Sequence, residues 1–241
     1  KPECISTWFA LNLDRNMSTV KPIPFGLSNS MSMKNLVFID EIPDKLNLDN
    51  KIDKLYVNFQ SSTNRKERDF LYEHFKKFEW AEVKKPELTL EEYKKDLTKY
   101  SFVLCPWGNG VDTHRVWESL YLGSIPITKR HPTFNSFSDL PILLVDSYED
   151  ITLEFLTNYK NDIKKKKLNY EKLNVSWWFD NVNKTENLEN KEQLIIKQKY
   201  IISQLYLFKS KFKMFLISKY KKVTYFIYRI KKIAKRLKLI R

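Results

Sequence analysis

Phe102-Val103-Leu104-Cys105-Pro106-Trp107-Gly108-Asn109-Gly110-Val111-Asp112-Thr113-His114-Arg115-Val116-Trp117-Glu118-Ser119-Leu120-Tyr121-Leu122-Gly123-Ser124-Ile125-Pro126-Ile127 runs as strand, glycine loop, helix, stop and strand. Phe102 to Cys105 is an apolar run of the kind buried in a parallel sheet. Thr113 to Leu122 carries apolar residues at helical spacing, and Gly123 is suited to end that helix. Three of the chain's four glycines fall here, at 108, 110 and 123. In a chain so poor in glycine, their concentration marks a loop that bends tightly or lies close to something else. The loop leaves the carboxyl end of a strand, where open α/β sheets bind ligands. It enters a helix whose first turn offers free N–H groups and the positive end of the dipole, which suits phosphate.

Outward from this window, strands and helices alternate. Lys54 to Phe59 reads as a strand, and Gln60 to Asn64 as a polar loop. Arg65 to Phe78 places Phe70, Leu71, His74, Phe75 and Phe78 at helical spacing. Trp80 to Val83 is a second strand. Thr89, with Glu92 three residues later, is a capping box that opens a helix running to about Tyr100. Ile125 to Thr128 and Ile142 to Val145 are strands, and Ile151 to Tyr159 is helical. The alternation predicts an α/β fold with a Rossmann-like open parallel sheet from about Ile52 to Tyr159. Before it, Thr7 to Leu11 suits a short strand. Lys21 to Leu27 holds two prolines and reads as an extended connector with a turn at Gly26. Asn29 to Asn35 is polar and irregular, and Leu36 to Ile39 is an apolar run without an assignment.

The 241 residues are 42% hydrophobic and 15% aromatic, enough to build a packed core and to exclude global disorder. Two cysteines, Cys4 and Cys105, cannot form a disulfide framework, and no Cys/His cluster suggests a metal. Cys105 reads as a buried strand residue. The chain begins at Lys1 without a signal-peptide pattern and reads as a cut or processed end.

The side chains of the window divide into roles by their chemistry. Arg115 is a fork donor that keeps its charge and suits a diphosphate. Gly108, Asn109 and Gly110 supply clearance and backbone N–H groups. Asp112 or Thr113 caps the helix. His114 donates to a phosphate or carbonyl oxygen, and Glu118 accepts from sugar hydroxyls. Thr63, Asn64, Arg68, Lys129 and Arg130 stand where they can line the same cleft. Each residue also has a plainer reading. Arg115 and Glu118 form an i,i+3 pair on an exposed helix face, Thr63 to Arg68 are ordinary helix-start residues, and Lys129 and Arg130 belong to a solvated loop. Trp177-Trp178-Phe179 suits either an acceptor platform or a hydrophobic clasp closing the domain.

The string Asn109 to Glu118, with Pro106 before it and Gly123-Ser124-Ile125-Pro126-Ile127 after it, resembles the donor-binding, C-terminal half of exostosin-like glycosyltransferases of the GT-B fold. Tyr56 to Phe59, followed by Thr63, Asn64 and Arg68, is similar to the first strand and helix of that half. Pro22 to Leu27 is similar to the crossover between the two halves. The resemblance spans roughly Trp8 to Thr157. It implies a nucleotide-sugar donor held by Gly108 to Glu118 and a glycan or lipid-linked acceptor; the roles given to the side chains call for no metal cofactor, because the protein supplies the cations. It divides the chain into 1–50 (remnant of an N-terminal domain and crossover linker), 51–182 (nucleotide-sugar-binding domain) and 183–241 (linker and basic tail). The family places an acceptor domain before the crossover. Only about twenty residues precede it here, where a domain needs on the order of 100, so the chain alone is expected to be a poor catalyst.

Charge is concentrated at one end. Residues 191–241 hold 16 Lys/Arg against one acid, Glu192, which leaves the rest of the chain with 27 basic and 28 acidic residues. Ile201, Leu205, Phe208, Phe212, Leu216, Val223, Ile227, Ile230, Ile233 or Ala234, Leu237 and Ile240 recur at three- and four-residue steps, with one gap near Lys219. The spacing predicts a basic amphipathic helix, too charged to span a bilayer, lying on an anionic membrane surface. Nucleic acid is disfavoured as the partner, because phosphate binding does not account for an apolar stripe. The expected location is the cytoplasmic face of a membrane, with the protein peripheral. The competing function class is a non-catalytic interaction protein that carries a degenerate α/β domain.

Overall fold

A computed structural model describes residues 7–28, 35–37, 39 and 41–183, all within one compact unit, Lys1–Asn187. Tyr100–Leu104 is buried at every position and forms the middle strand of a five-stranded sheet. In chain order the elements are β1 (Trp8–Ala10), β2 (Val20–Pro22), β3 (Ile52–Val57), α1 (Arg65–Phe75), β4 (Ala81–Val83), α2 (Leu90–Lys99), β5 (Tyr100–Leu104), α3 (His114–Tyr121), β6 (Ile125–Lys129), β7 (Leu143–Val145), α4 (Leu153–Ile163) and α5 (Val175–Asn183). The sheet order is β4-β3-β5-β6-β7, and every pairing is parallel. This is the doubly wound Rossmann-like sheet that the alternation predicts. β1 and β2 form a separate two-stranded parallel sheet, so part of the expected connector is a strand.

Two hydrophobic cores cover the two faces. Tyr56 and Val103 pack with Leu97 of α2, Val116, Trp117 and Leu120 of α3, and Phe134 and Phe137. Leu55, Val57, Phe102, Leu104, Ile125 and Ile127 pack with Leu71 and Phe75 of α1 and with Leu156 and Ile163 of α4. Successive strand residues point to opposite faces, and both faces are covered, which is why these strands read as continuous apolar runs.

Local signals set the boundaries. Thr89 Oγ1 accepts from the Glu92 N–H at 3.2 Å while Glu92 Oε2 accepts from the Thr89 N–H at 2.8 Å, the reciprocal cap the sequence predicts. Gly123 has φ +71° and follows α3 as its stop. α1 ends at Phe75, three residues before the expected Phe78, because the chain turns there and Phe78 stacks on Trp80 with ring centroids 4.9 Å apart. α4 starts two residues later than expected, where the Thr152 hydroxyl accepts from the Phe155 N–H. The 3-10 turn Pro132–Phe137 between β6 and β7 has no counterpart in the sequence reading. Trp178 packs on the first core, meets Phe137 edge-on at 5.9 Å and donates to Lys172 O at 2.8 Å. The clasp is thus Trp178, while Phe179 is exposed.

Among the described residues, no helix is long and apolar enough to cross a membrane. The expected tail helix over 191–241, the linker before it, Cys4, and most of Asn29 to Asn35 lie outside the described residues. Removing the capping hydroxyl with Thr89→Ala is expected to cost about 0.5–2 kcal/mol of stability. A urea midpoint unchanged from the parent would show that the box does not hold α2.

Candidate functional site

β3 and β5 are neighbours, but the chain leaves them in opposite directions, to β4 on one side and to β6 on the other. Their carboxyl ends form the switch point of the sheet, where doubly wound folds bind ligands. Two loops meet there, Asn58 to Asn64 after β3 and Cys105 to Thr113 after β5.

Arg68 ties these loops together. Its Nε donates to Trp107 O at 2.9 Å, Nη1 to Gln60 O at 2.6 Å and Nη2 to Pro106 O at 2.8 Å. The side chain is buried, with the guanidinium 5.4 Å from the Phe59 ring centroid. Burial, with Arg115's charge nearby, lowers its pKa to about 10, so it stays charged at neutral pH. A Cβ on Gly108 would lie 3.0 Å from Arg68 Nη2 and 3.3 Å from Thr63 Oγ1, a tight fit that a side chain here could take only by displacing the clamp slightly. The expected cleft residue Arg68 is at the switch point, but as a brace between loops.

Gly108 and Gly110 do not offer the open cradle expected of them. The Gly108 N–H donates to Gly110 O at 3.0 Å, closing the loop on itself. A Cβ on Gly110 would lie 3.0 Å from Asn12 Oδ1, and that same oxygen accepts the Asp112 N–H at 2.8 Å. Asn12 adopts φ 49°, a left-handed conformation that asparagine tolerates. Asn109 is exposed at the tip.

Asp112 does not cap α3. Its Oδ2 accepts the Phe25 N–H at 2.8 Å and its Oδ1 accepts Trp117 Nε1–H at 2.7 Å. The carboxyl is 3% exposed, and burial pushes its pKa up to about 7. Thr113 is the N-cap by position, yet its hydroxyl makes no capping bond, and Oγ1 is buried without a partner. His114 Nδ1 lies 2.8 Å from Gly26 O, which can only accept, so the imidazole is protonated there. Its ring stacks on Phe25 at 4.2 Å.

Glu118 is 0% exposed. It accepts Tyr93 Oη–H at 2.6 Å, the Leu36 N–H at 2.9 Å and Asn35 Nδ2–H at 3.2 Å. These donors come from the protein, so the carboxylate does not face a ribose as expected. It anchors the segment at 35–36 instead. Asp112, His114 and Glu118 thus all hold residues from the region 25–36 against α3.

Arg115 keeps the expected character. Its guanidinium lies 4.9 Å from the Tyr93 ring centroid, and Nη1 is buried without a hydrogen-bond partner. Burial opposes its charge, but Tyr93, Glu118 and Cys105 outweigh that effect and its pKa stands raised. Tyr93, which spacing alone did not single out, therefore touches both Arg115 and Glu118. The available signal was its position on the buried face of α2, one turn inside the capping box.

The remaining candidates lie to one side. Lys129 pairs with Glu67, and Asn64 Nδ2 donates to Glu67 Oε2 at 3.1 Å. Arg130 pairs with Asp146 at 3.1 Å with both side chains well exposed, a contact of little energetic weight. Cys105 is buried as expected, and burial pushes its thiol up to about 12. A cavity of about 1050 Å³ lies at the opposite, amino edge of the sheet beside Gly123 and Lys51. Lys51 there is held by Thr98 O, Leu122 O and Ser124 Oγ. Among the described residues no group of three His, Cys, Asp or Glu is placed to hold a metal.

No protein-family model matches the chain, and no curated protein is significantly similar to it.

The Asp112 carboxyl has a testable linkage. Its pKa is 3.8 ordinarily and about 7 when folded, so between those values the folded chain holds a proton that the unfolded chain has released. Its contribution to stability therefore falls as pH rises through that window and is flat above it, by on the order of 4 kcal/mol at most. The stability difference between the parent and Asp112→Asn, from urea midpoints below and above pH 7, should shift against the parent as pH rises. A difference independent of pH would show that Asp112 titrates normally.

Proposed function

We propose that this chain is the donor-binding part of a glycosyltransferase, which holds a nucleotide sugar at the switch point for transfer to a glycan or lipid-linked acceptor. The observation that carries the reading is Arg115. Its guanidinium is charged, partly buried and beside the switch point, with Nη1 lacking a partner. A buried donor of this kind is costly unless something accepts from it, and a diphosphate oxygen is the acceptor that fits a guanidinium best. The unpartnered Thr113 Oγ1, two residues before it at the start of α3, adds a second donor beside the positive end of the helix dipole. The resemblance of Asn109 to Ile127 to exostosin-like enzymes supports the same chemistry. Residues 191–241 are assigned to an anionic membrane surface on their charge and apolar spacing alone, which would bring the site to lipid-linked acceptors at the cytoplasmic face.

A second reading, a non-catalytic interaction protein with a degenerate domain, draws on a specific observation. Asp112, His114 and Glu118 are already bonded to residues 25–36, so fewer groups remain for a ligand than the sequence promises.

Calorimetric titration of the full chain with uridine and guanosine diphosphates and their sugars separates the two. Binding is expected, and Arg115→Ala should weaken it roughly tenfold to a hundredfold, the loss of a charged hydrogen bond worth about 1.5–3 kcal/mol. No binding by the parent, or equal binding by a folded Arg115→Ala variant, removes the nucleotide-sugar assignment.

A further inference from the structure

A cavity of about 460 Å³ lies between the start of α1 and the residues that follow β5, β6 and β7, and the nucleotide reading leaves it unused. Its lining holds a fixed polar network. Glu67 Oε1 pairs with Lys129 Nζ, and Glu67 Oε2 accepts from Asn64 Nδ2 at 3.1 Å, while Asn64 also reaches Trp107 O at 3.4 Å. The Lys129 ammonium lies 5.0 Å from the Tyr148 ring centroid and 5.9 Å from that of Trp107. Side-chain exposures of 19% for Glu67 and 30% for Lys129 leave both within reach of a ligand. Each bonded carboxylate oxygen keeps a second lone pair, and the ammonium keeps further N–H groups. Trp107, also in the lining, has a buried indole N–H with no partner. Phe70, 48% exposed, supplies an apolar wall.

Two properties select the ligand class. The lining carries Lys66 and Lys129 against Glu67 and Glu149, so its own formal charges balance and select neither an anion nor a cation. The aromatic faces are also taken. Lys129 sits over Tyr148 and Trp107, and His131 meets Trp107 edge-on at 5.3 Å. No open pair of rings remains to sandwich a nucleobase. An uncharged pyranose matches what is left, because its hydroxyls both donate and accept while its C–H face packs on Phe70. We infer that this cavity is a subsite for one uncharged hexose ring. Its role, holding either the sugar carried by the nucleotide or a sugar of the acceptor, rests on the glycosyltransferase reading; binding of the ring does not.

Saturation-transfer NMR on the full chain with methyl glucoside, galactoside and mannoside tests this, with methyl glucuronide as the anionic control. At least one neutral glycoside should receive saturation and the glucuronide should not. Glu67→Gln should weaken the apparent affinity roughly tenfold. Phe70→Ala, at an exposed position that leaves the core intact, and Trp107→Phe, which deletes the indole N–H, should each weaken it measurably. Arg115→Ala should leave it unchanged. Displacement of the glycoside by a nucleotide hexose but not by the bare diphosphate assigns the ring to the donor, and lack of displacement assigns it to the acceptor. Transfer to no neutral glycoside, stronger binding of the glucuronide, or indifference to all three cavity variants overturns the inference. Because nucleotide binding is measured separately and depends on Arg115, the failure of either reading leaves a different signature.

Discussion

The carboxyl edge of this protein depends on the Arg68 guanidinium. Two loops that leave adjacent strands in opposite directions would otherwise bring the carbonyls of Gln60, Pro106 and Trp107 together with no donor between them. Arg68 supplies three charge-assisted hydrogen bonds in a fixed planar fork. Burying a guanidinium is costly, and only this degree of satisfaction offsets it. The consequences spread through the site. Gly108 sits where a side chain would press on Arg68 and Thr63. The loop after β5 is pinned at Pro106 and Trp107, and its course then delivers Arg115 to the first turn of α3.

A second constraint comes from far away in the chain. Asn12, Phe25, Gly26 and Leu36 bond to the loop after β5 and to α3, at Asp112, His114 and Glu118. Every one of these contacts joins residues more than 80 positions apart. Their combined effect is to turn the polar side of α3 into a docking seam for the N-terminal region. A buried carboxylate such as Glu118 is tolerated because Tyr93 and two N–H donors from the segment at 35–36 satisfy it. Removing that segment would take away two of the three donors named for this buried carboxylate and leave it Tyr93, so the segment at 35–36 contributes to the packing of the first core.

This division explains which features could be read from the sequence. The parallel sheet was legible because burial on both faces writes itself into Leu55–Val57, Phe102–Leu104 and Ile125–Ile127 as unbroken apolar runs. The Thr89 cap and the Gly123 stop were legible because the partners lie within three or four residues. Arg115 lies in the first turn of α3, as its position in the sequence implies, with Nη1 unpartnered. Glu118, Asp112 and Gly108 did not behave as read, since helical spacing reveals a shared face but not what packs on it. Arg68 was picked out as a cleft residue for the right position and the wrong task. Tyr93 was passed over because nothing local distinguishes a core tyrosine from one that shapes a charged site.

The electrostatics of the edge then set what a ligand must supply. Arg68 and Arg115 lie close enough for Arg115 to lower the pKa of Arg68, and among the described residues neither forms an ion pair. Arg68 is answered by carbonyl dipoles, and Arg115 by the face of Tyr93 and, without an ion pair, by the buried Glu118 carboxylate. Next to them, across the Trp107–Gly108 loop, the cavity around Glu67 and Lys129 is balanced in charge. One loop therefore borders a region with two guanidiniums and no ion pair among the described residues, and a region whose charges balance and whose polar groups keep hydrogen-bonding capacity. A free inorganic anion would satisfy the first and leave the second to water, and a neutral sugar would do the reverse. On the proposed reading, a molecule with a diphosphate joined to an uncharged ring would satisfy both at once, and with the loop between them fixed in advance by Arg68, little of the ordering cost would fall on the binding step.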